Sequence, residues 1–262
     1  MLKPLFLEQV DDDGVAWVTL TRPEVHNAFD DTLIAGLRAV LGGFASDQRV
    51  RAVVLGAQGR SFSAGADLNW MQRMAGYSER ENLDDARALV DLMRTLYELP
   101  KPTLALVQGP TYGGGVGLVA CCDIAIAAQT ANFCFSEVRL GLVPAAIGPY
   151  VIAAIGERAA RRYFLTAETF SAHEALRIGL VHDVVPDEAL RDIGRRVIKA
   201  LLRGGPNAQV AAKDLILTIS GRPLDDLAEE TAKLIARLRV SEEGREGIAA
   251  FLEKRKPGWL KD

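Results

Sequence analysis

A chain of 262 residues, 49% hydrophobic and 25% charged, has globular composition and is neither disordered nor collagen-like. Its 31 basic and 34 acidic residues give a net charge of −3, so counterion release cannot be the main source of binding energy and a nucleic-acid partner is not expected. The cysteines Cys121, Cys122 and Cys134 are odd in number and lack C-x-x-C spacing, which reads as reduced, core-packed thiols in a cytoplasmic protein.

The start, MLKPLFLEQVDDDG, has its apolar run broken by Pro4 and Glu8 and is a poor signal peptide. GVAWVTLTRPE, from Gly14, reads as a strand ended by Pro23. DDTLIAGLRAVLGGF places Leu33, Ile34, Leu37, Val40 and Leu41 on one helical stripe, with Asp30 as N-cap and Gly42-Gly43 as the expected end. RVRAVVLGAQG, KPTLALVQG and DIAIAAQ are further strands, and SERENLDDARALVDLMRTLYEL has helical periodicity. Strands alternating with helices in this way argue an α/β fold. Two long uncharged stretches, 103–122 and 140–156, are dense in Gly and Pro and read as buried core, not membrane spans.

After about residue 165 the chain becomes largely helical. SAHEALRIGLV opens with a Ser171/Glu174 capping box. Pro206 suits the first turn of the next helix, and another helix is expected after Pro223. The last is expected to run from Ser241, with Glu242 and Glu243 in its first turn, to Lys254, Arg255 and Lys256, both ends complementing the helix dipole. The expected division is a core over residues 1–200 and a helical region over 201–262.

Two strand-to-glycine-turn-to-helix junctions can carry chemistry. They are Ser63-Ala64-Gly65-Ala66-Asp67 and Gly113-Gly114-Gly115. Helix N-termini leave backbone N–H groups unpaired, and small residues let a ligand approach them. One N–H from each junction could converge on a carbonyl oxygen as an oxyanion hole; equally, the glycines could serve only tight turns and close packing. Gly115-x-Gly117-x-x-Ala120 fits a relaxed dinucleotide fingerprint, and Glu137 lies twenty residues past Gly117. The following strand, however, ends in Gln129 and Thr130 rather than an acid, which excludes that reading. There is no G-x-S-x-G elbow, H-E-x-x-H motif or P-loop, and His26, His173 and His182 are scattered, so no metal site is expected. Glu137, a lone acid after the apolar run ANFCF, is the best acid–base candidate, since desolvation raises a carboxyl pKa. Its alternative role is as an ion-pair partner of Arg139 or another arginine.

Taken together, TRPEVHNAF, FSAGADLNWM, GPTYGGGVGLVACCDIAIAA, FSEVRLGLVP, SAHEALRIGLVHDVVP and FLEKRKPGW resemble the enoyl-CoA hydratase/isomerase (crotonase) family over essentially the whole chain. The resemblance implies a spiral of strand–strand–helix repeats with a helical C-terminal region, assembled as a homotrimer or a dimer of trimers. It implies an acyl-CoA thioester substrate and no separate cofactor, CoA being part of the substrate. It implies that Ala64 and Gly114 donate the oxyanion-hole N–H groups. His26, Asn27 and Ala28 would lie along CoA, and Ala64, Gly65, Ala66 and Asp67 along the pantetheine–thioester end, with Leu68 also among the residues binding substrate or CoA. Lys254 and its basic neighbours either approach CoA phosphates or form a solvated helix end.

Two-carboxylate hydratases of this family carry one Glu where this chain has Gly117 and a second at the position of Glu137. Only Glu137 carries over. A single acid there fits a Δ3,Δ2-enoyl-CoA isomerase, and it also suffices for hydration if it handles both the water and the α-proton. LNWM, Gly117 before LVACCD, SEVRLGLVPAAIGPYV and IGERAARRYFLTAE resemble bacterial hydratases of 3-methylglutaconyl-CoA and isohexenylglutaconyl-CoA, from leucine and terpene catabolism. The expected function is therefore hydration of a branched glutaconyl-type enoyl-CoA. Arg73 or Arg139 is a candidate partner for the second substrate carboxylate. A catalytically weakened protein that binds acyl-CoA or RNA is the alternative of another class.

Overall fold

The computed structural model describes residues 4–260; Met1–Lys3 and Lys261–Asp262, which the expected core and C-terminal ranges include, lie outside the described residues. The chain opens with an antiparallel pair, β1 (Phe6–Val10) and β2 (Val15–Leu20). β1 has no apolar alternation of its own, since Leu7, Glu8 and Gln9 are all exposed. Its place comes from pairing, locked by Asp11, which accepts from Val15 N–H and Trp17 Nε1, both at 2.9 Å.

α1 (Asp31–Ser46) starts where the Asp30 carboxylate accepts from Leu33 N–H at 2.8 Å, the N-cap expected from sequence. Leu33, Ile34, Leu37 and Leu41 are buried. The helix does not stop at Gly42-Gly43. It continues to Ser46, because Phe44 is buried beyond them and its burial outweighs a glycine penalty of about 1 kcal/mol each.

β3 (Ala52–Ala57) leads through the first glycine junction into α2 (Leu68–Met74). α3 (Glu79–Tyr97) follows, with a complete Ser78/Glu81 capping box. The next turn of chain gives β4 (Thr103–Val107), β5 (Pro110–Tyr112) and α4 (Gly114–Cys121). Another gives β6 (Ile124–Ala128), β7 (Asn132–Cys134), a 3₁₀ turn over Glu137–Leu140 and α5 (Gly148–Thr166). Strand, strand, helix is thus the repeating unit. In the β4–β5–α4 and β6–β7–α5 units the first strand joins a six-stranded sheet and the second a three-stranded one.

β8 (Phe170–Ser171), α6 (Ala172–Arg177), β9 (Asp183–Val185) and α7 (Leu190–Leu202) complete the layers. The larger sheet runs β1-β2-β3-β4-β6-β9, parallel except at β1–β2; the smaller runs β5-β7-β8. β4 is buried at every position, as a parallel strand covered on both faces should be. Ala105 and Val107 face the main core with Leu33, Met93, Val116, Phe133 and Ile147, while Leu104 and Leu106 face a second cluster with Ile198 of α7. At α6 the capping box is only half made. Ser171 Oγ accepts from Glu174 N–H, but the Glu174 carboxylate turns to Arg177 and Tyr163.

The C-terminal helices are α8 (Pro206–Ile219), α9 (Ala228–Val240) and α10 (Glu242–Leu252). Pro206 occupies the first turn of α8 and Ser241 caps α10. α10 ends at Leu252, so the basic run lies beyond it and not in its last turn. Lys254 takes a left-handed φ of 54°, and Arg255 folds back to Glu246 and Glu253, both at 2.6 Å. Apolar side chains stay exposed on these helices, among them Ile216, Phe251 and Leu252. Arg51, just before β3, ties this region to the sheets by donating to the carbonyls of Leu202, Gly204 and Trp259. Among the described residues, no helix is long and apolar enough to cross a membrane, and no group of three or more His, Cys, Asp or Glu side chains could hold a metal. All three cysteines are buried free thiols.

Candidate active site

The segment 21–30 packs beside the first junction and fixes it through polar side chains. Asn27 is fully buried with φ 53°. Its Oδ1 accepts from Arg22 N–H at 2.8 Å, and its Nδ2 donates to the carbonyls of Gln58 and Ser61, each at 2.9 Å. Arg22 reaches Asp30 at 2.6 Å and Asp67 at 3.1 Å. Asp67 Oδ1 also caps α2 by accepting from Asn69 and Trp70 N–H. The backbone then pairs Phe29 with Ala66: Phe29 N–H donates to Gly65 O and Asp67 N–H to Phe29 O, both at 2.7 Å.

That pairing decides which amides are free. Ala64 N–H donates to His26 O at 3.0 Å, so it is spent on the fold, and the expectation that Ala64 supplies an oxyanion donor is corrected. Gly65, with φ 91°, turns the chain. Among the described residues the N–H of Ala66 then has no acceptor. Sequence reasoning placed Ala66 on the substrate wall but missed it as a donor, because the pairing of 64–67 with 26–29 leaves no local sequence mark.

The second junction lies against the first. Tyr112 N–H donates to Ser63 O at 2.8 Å, and Ser63 bridges Thr111. A Cβ on Gly115 would fall 2.8 Å from Ser63 O, and one on Gly113 would fall 3.9 Å from Gly65 Cα. Gly113 itself, at φ 49° and ψ −119°, is the N-cap of α4 and has no side chain to cap with; an L side chain is strained there. Gly114 is the first residue of α4, so its N–H has no intrahelical partner.

Glu137 arrives through β7. Gly113 N–H donates to Cys134 O at 3.0 Å, continuing the β5–β7 register. Phe133, Cys134 and Phe135 are buried and carry the following residues inward. Glu137 Oε1 lies 3.3 Å from where a Gly113 Cβ would be, and Oε2 is buried without a hydrogen-bond partner. Burial pushes its pKa above the ordinary carboxyl value, opposed in part by its own backbone N–H. Arg139 does not pair with it, donating instead to Ala167 O at 2.5 Å. An acid of raised pKa therefore stands beside a helix N-terminus with a free amide, a set that can stabilise a developing oxyanion and move one proton.

The other expected residues are placed as follows. His26 Nε2 accepts from Arg60 at 3.0 Å, which leaves the ring proton on Nδ1 facing Ser61 Oγ at 2.8 Å. The Asn27 side chain is consumed inside the fold and is not open to CoA, which corrects that expectation for its side chain. Ala28 is buried with its carbonyl taking Arg22 Nη1. Leu68 opens α2 and is 81% exposed. Lys254 is exposed beyond α10 and makes no hydrogen bond to either junction. Arg73 is bonded to Asp31 at 2.7 Å.

Residues 11–262 match the family described as enoyl-CoA hydratase/isomerase. An enoyl-CoA hydratase from Shewanella pealeana, of known crystal structure, is 45% identical over 98% of this chain and 96% of that one, with a TM-score of 0.95. The 2,3-dehydroadipyl-CoA hydratase of Escherichia coli is 32% identical over 93% of this chain and 94% of its own length. The trans-2-decenoyl-[acyl-carrier-protein] isomerase of Streptococcus mutans is 32% identical over 94% of each. Fold and length agree over almost the whole chain: it belongs to the enoyl-CoA hydratase/isomerase family.

Proposed function

We propose that this protein hydrates a 2-enoyl-CoA thioester with Glu137 as its only acid–base group. The carrying observation is the Glu137 carboxyl beside the Gly113-Gly114 turn, with its Oε2 buried and without a hydrogen-bond partner. In this reading the Ala66 and Gly114 amides hold the thioester oxygen. The Glu137 carboxylate takes a proton from water as the water oxygen bonds to C3, and the C2=C3 electrons pass to the thioester oxygen as an enolate. Collapse of the enolate returns that proton from Glu137 to C2, so water is added with no net change in the enzyme. Removing one such N–H donor costs about 3–4 kcal/mol of transition-state stabilisation in comparable sites.

The substrate proposed is a branched glutaconyl-type thioester such as 3-methylglutaconyl-CoA. Support comes from the sequence likeness around LNWM, Gly117 and SEVRLGLVPAAIGPYV, and from a relative named for a dicarboxylic enoyl-CoA. Arg73 and Arg139 each already have a partner, so a substrate carboxylate binds either one only by exchange. The exposed apolar residues of α8 and α10 support self-association, a homotrimer or dimer of trimers being what the family resemblance implies, and the three free thiols support a cytoplasmic setting.

A second reading, Δ3,Δ2-enoyl-CoA isomerisation, is favoured by the absence of a carboxylate at Gly117 and by the isomerase relative. Purified protein is offered 3-methylglutaconyl-CoA, crotonyl-CoA and 3-hexenoyl-CoA, with absorbance and product mass followed. Gain of one water on the first supports hydration. A double-bond shift at constant mass on the third, without hydration of the others, replaces it with isomerisation. No change in any of the three sinks both and leaves a binding protein.

A further inference from the structure

We propose that Ile147 determines how many carboxylates this site holds: its side chain fills the space a second acid at position 117 would need, and so enforces one-acid chemistry. The inference deepens the proposed function and rests on it for its catalytic meaning.

Position 117 lies in the first turn of α4, four residues past Gly113, whose added Cβ would fall 3.3 Å from Glu137 Oε1, and it is where the two-carboxylate hydratases that this chain resembles carry a Glu. A Cβ there, however, would fall 2.2 Å from Ile147 Cγ2, 3.0 Å from Ile147 Cβ and 3.1 Å from Met93 Cε. The Met93 methyl ends a flexible chain and can yield. Ile147 cannot yield in the same way, since it is 2% exposed and β-branched, with few χ1 choices.

Nothing in the local backbone calls for isoleucine at 147. The residue is the N-cap of α5 and makes no side-chain cap bond, whereas Ser, Asn, Asp or Gly would serve that position better. What isoleucine supplies there is volume. Gly117 and Ile147 thus form a reciprocal small–large pair across the α4–α5 contact, with hydrocarbon standing where a second acid would stand.

The test is a cycle of wild type, Gly117→Glu, Ile147→Gly and the double variant. Thermal midpoints and the pH dependence of crotonyl-CoA hydration are measured for each. Gly117→Glu alone should lower the midpoint by roughly 5–10 °C, because overpacking a filled core is not relieved by small shifts. The double variant should regain at least half of that loss. It should hydrate crotonyl-CoA about tenfold faster than Ile147→Gly and add a second carboxyl limb to the pH profile. Midpoints that add without coupling would overturn the proposal, as would a stable double variant whose pH profile matches Ile147→Gly. Coupling is read without substrate, so it is separate from the hydratase reading, which fails if wild type leaves every thioester unchanged.

Discussion

The two glycine junctions lie side by side and both open helices, yet they treat a buried acid in opposite ways. At the first, Asp67 caps α2 with one oxygen and meets Arg22 with the other. Asn27 and Ala64 are likewise tied to neighbouring backbone. At the second, the cap is a glycine without a side chain, and Glu137 comes to rest beside it with one oxygen unbonded. A buried polar atom left unsatisfied costs about 1–3 kcal/mol, so such groups mark sites where stability is given up for chemistry. The first junction is the frame; the second holds the group that can react.

The largest effect tests the reactive side. Glu137→Gln should lower kcat by about 10²–10⁴-fold with little change in KM, read by steady-state hydration; turnover near wild type removes Glu137 from the mechanism. The same variant has a stability signature. Burial raises the folded pKa of Glu137 above its ordinary value of 4.5, so the folded state binds the proton more tightly than the unfolded one. Stability associated with this group is therefore complete below pH 4.5 and is lost as pH rises through the folded pKa. Glu137→Gln should be at least as stable as wild type at pH 7, with the advantage fading at pH 4, as followed by urea unfolding.

Next comes the frame. Asp67→Ala removes a cap and one of the two carboxylates on Arg22, which keeps Asp30, and should cost about 1–3 kcal/mol in the same unfolding measurement. A loss below about 1 kcal/mol would erase the contrast between the junctions. Gly113→Ala should cost about 1–3 kcal/mol through backbone strain, and should also depress kcat because the added methyl lies 3.3 Å from Glu137 Oε1. Unchanged kcat would mean that Glu137 does not work from this position. The smallest effect is expected at Ser63, whose buried Oγ has no partner. Ser63→Ala should be neutral or stabilising by up to about 1 kcal/mol, and a clear loss would reveal a bond made in solution.

Much of this was legible in the chain because it is written locally. Asp30, Ser241 and Pro206 mark helix starts by side-chain chemistry, and the apolar run before Glu137 announced its burial. What was not legible depends on distant pairing. β1 exists through β2, and the end of α1 is set by where Phe44 packs rather than by Gly42-Gly43. The choice of Ala66 over Ala64 is made by residues 26–29, and the enclosure of Gly117 by a residue thirty positions away. Lys254 sits outside the helix because it takes the left-handed position of a turn that closes α10, with Arg255 N–H donating to Ala250 O at 3.0 Å.

Arg51 carries a consequence for how the molecule comes apart. Its guanidinium is partly desolvated, which lowers its pKa, and its Nε is buried without a partner. The carbonyls that receive its other nitrogens come from the end of α7, the loop after it and Trp259. Peeling the C-terminal segment away would break hydrogen bonds that this cation makes at the start of β3, each worth about 0.5–1.5 kcal/mol net of the water that would replace it. Partial opening at the tail is therefore penalised at the sheet, and the two ends of the chain should melt in one cooperative transition.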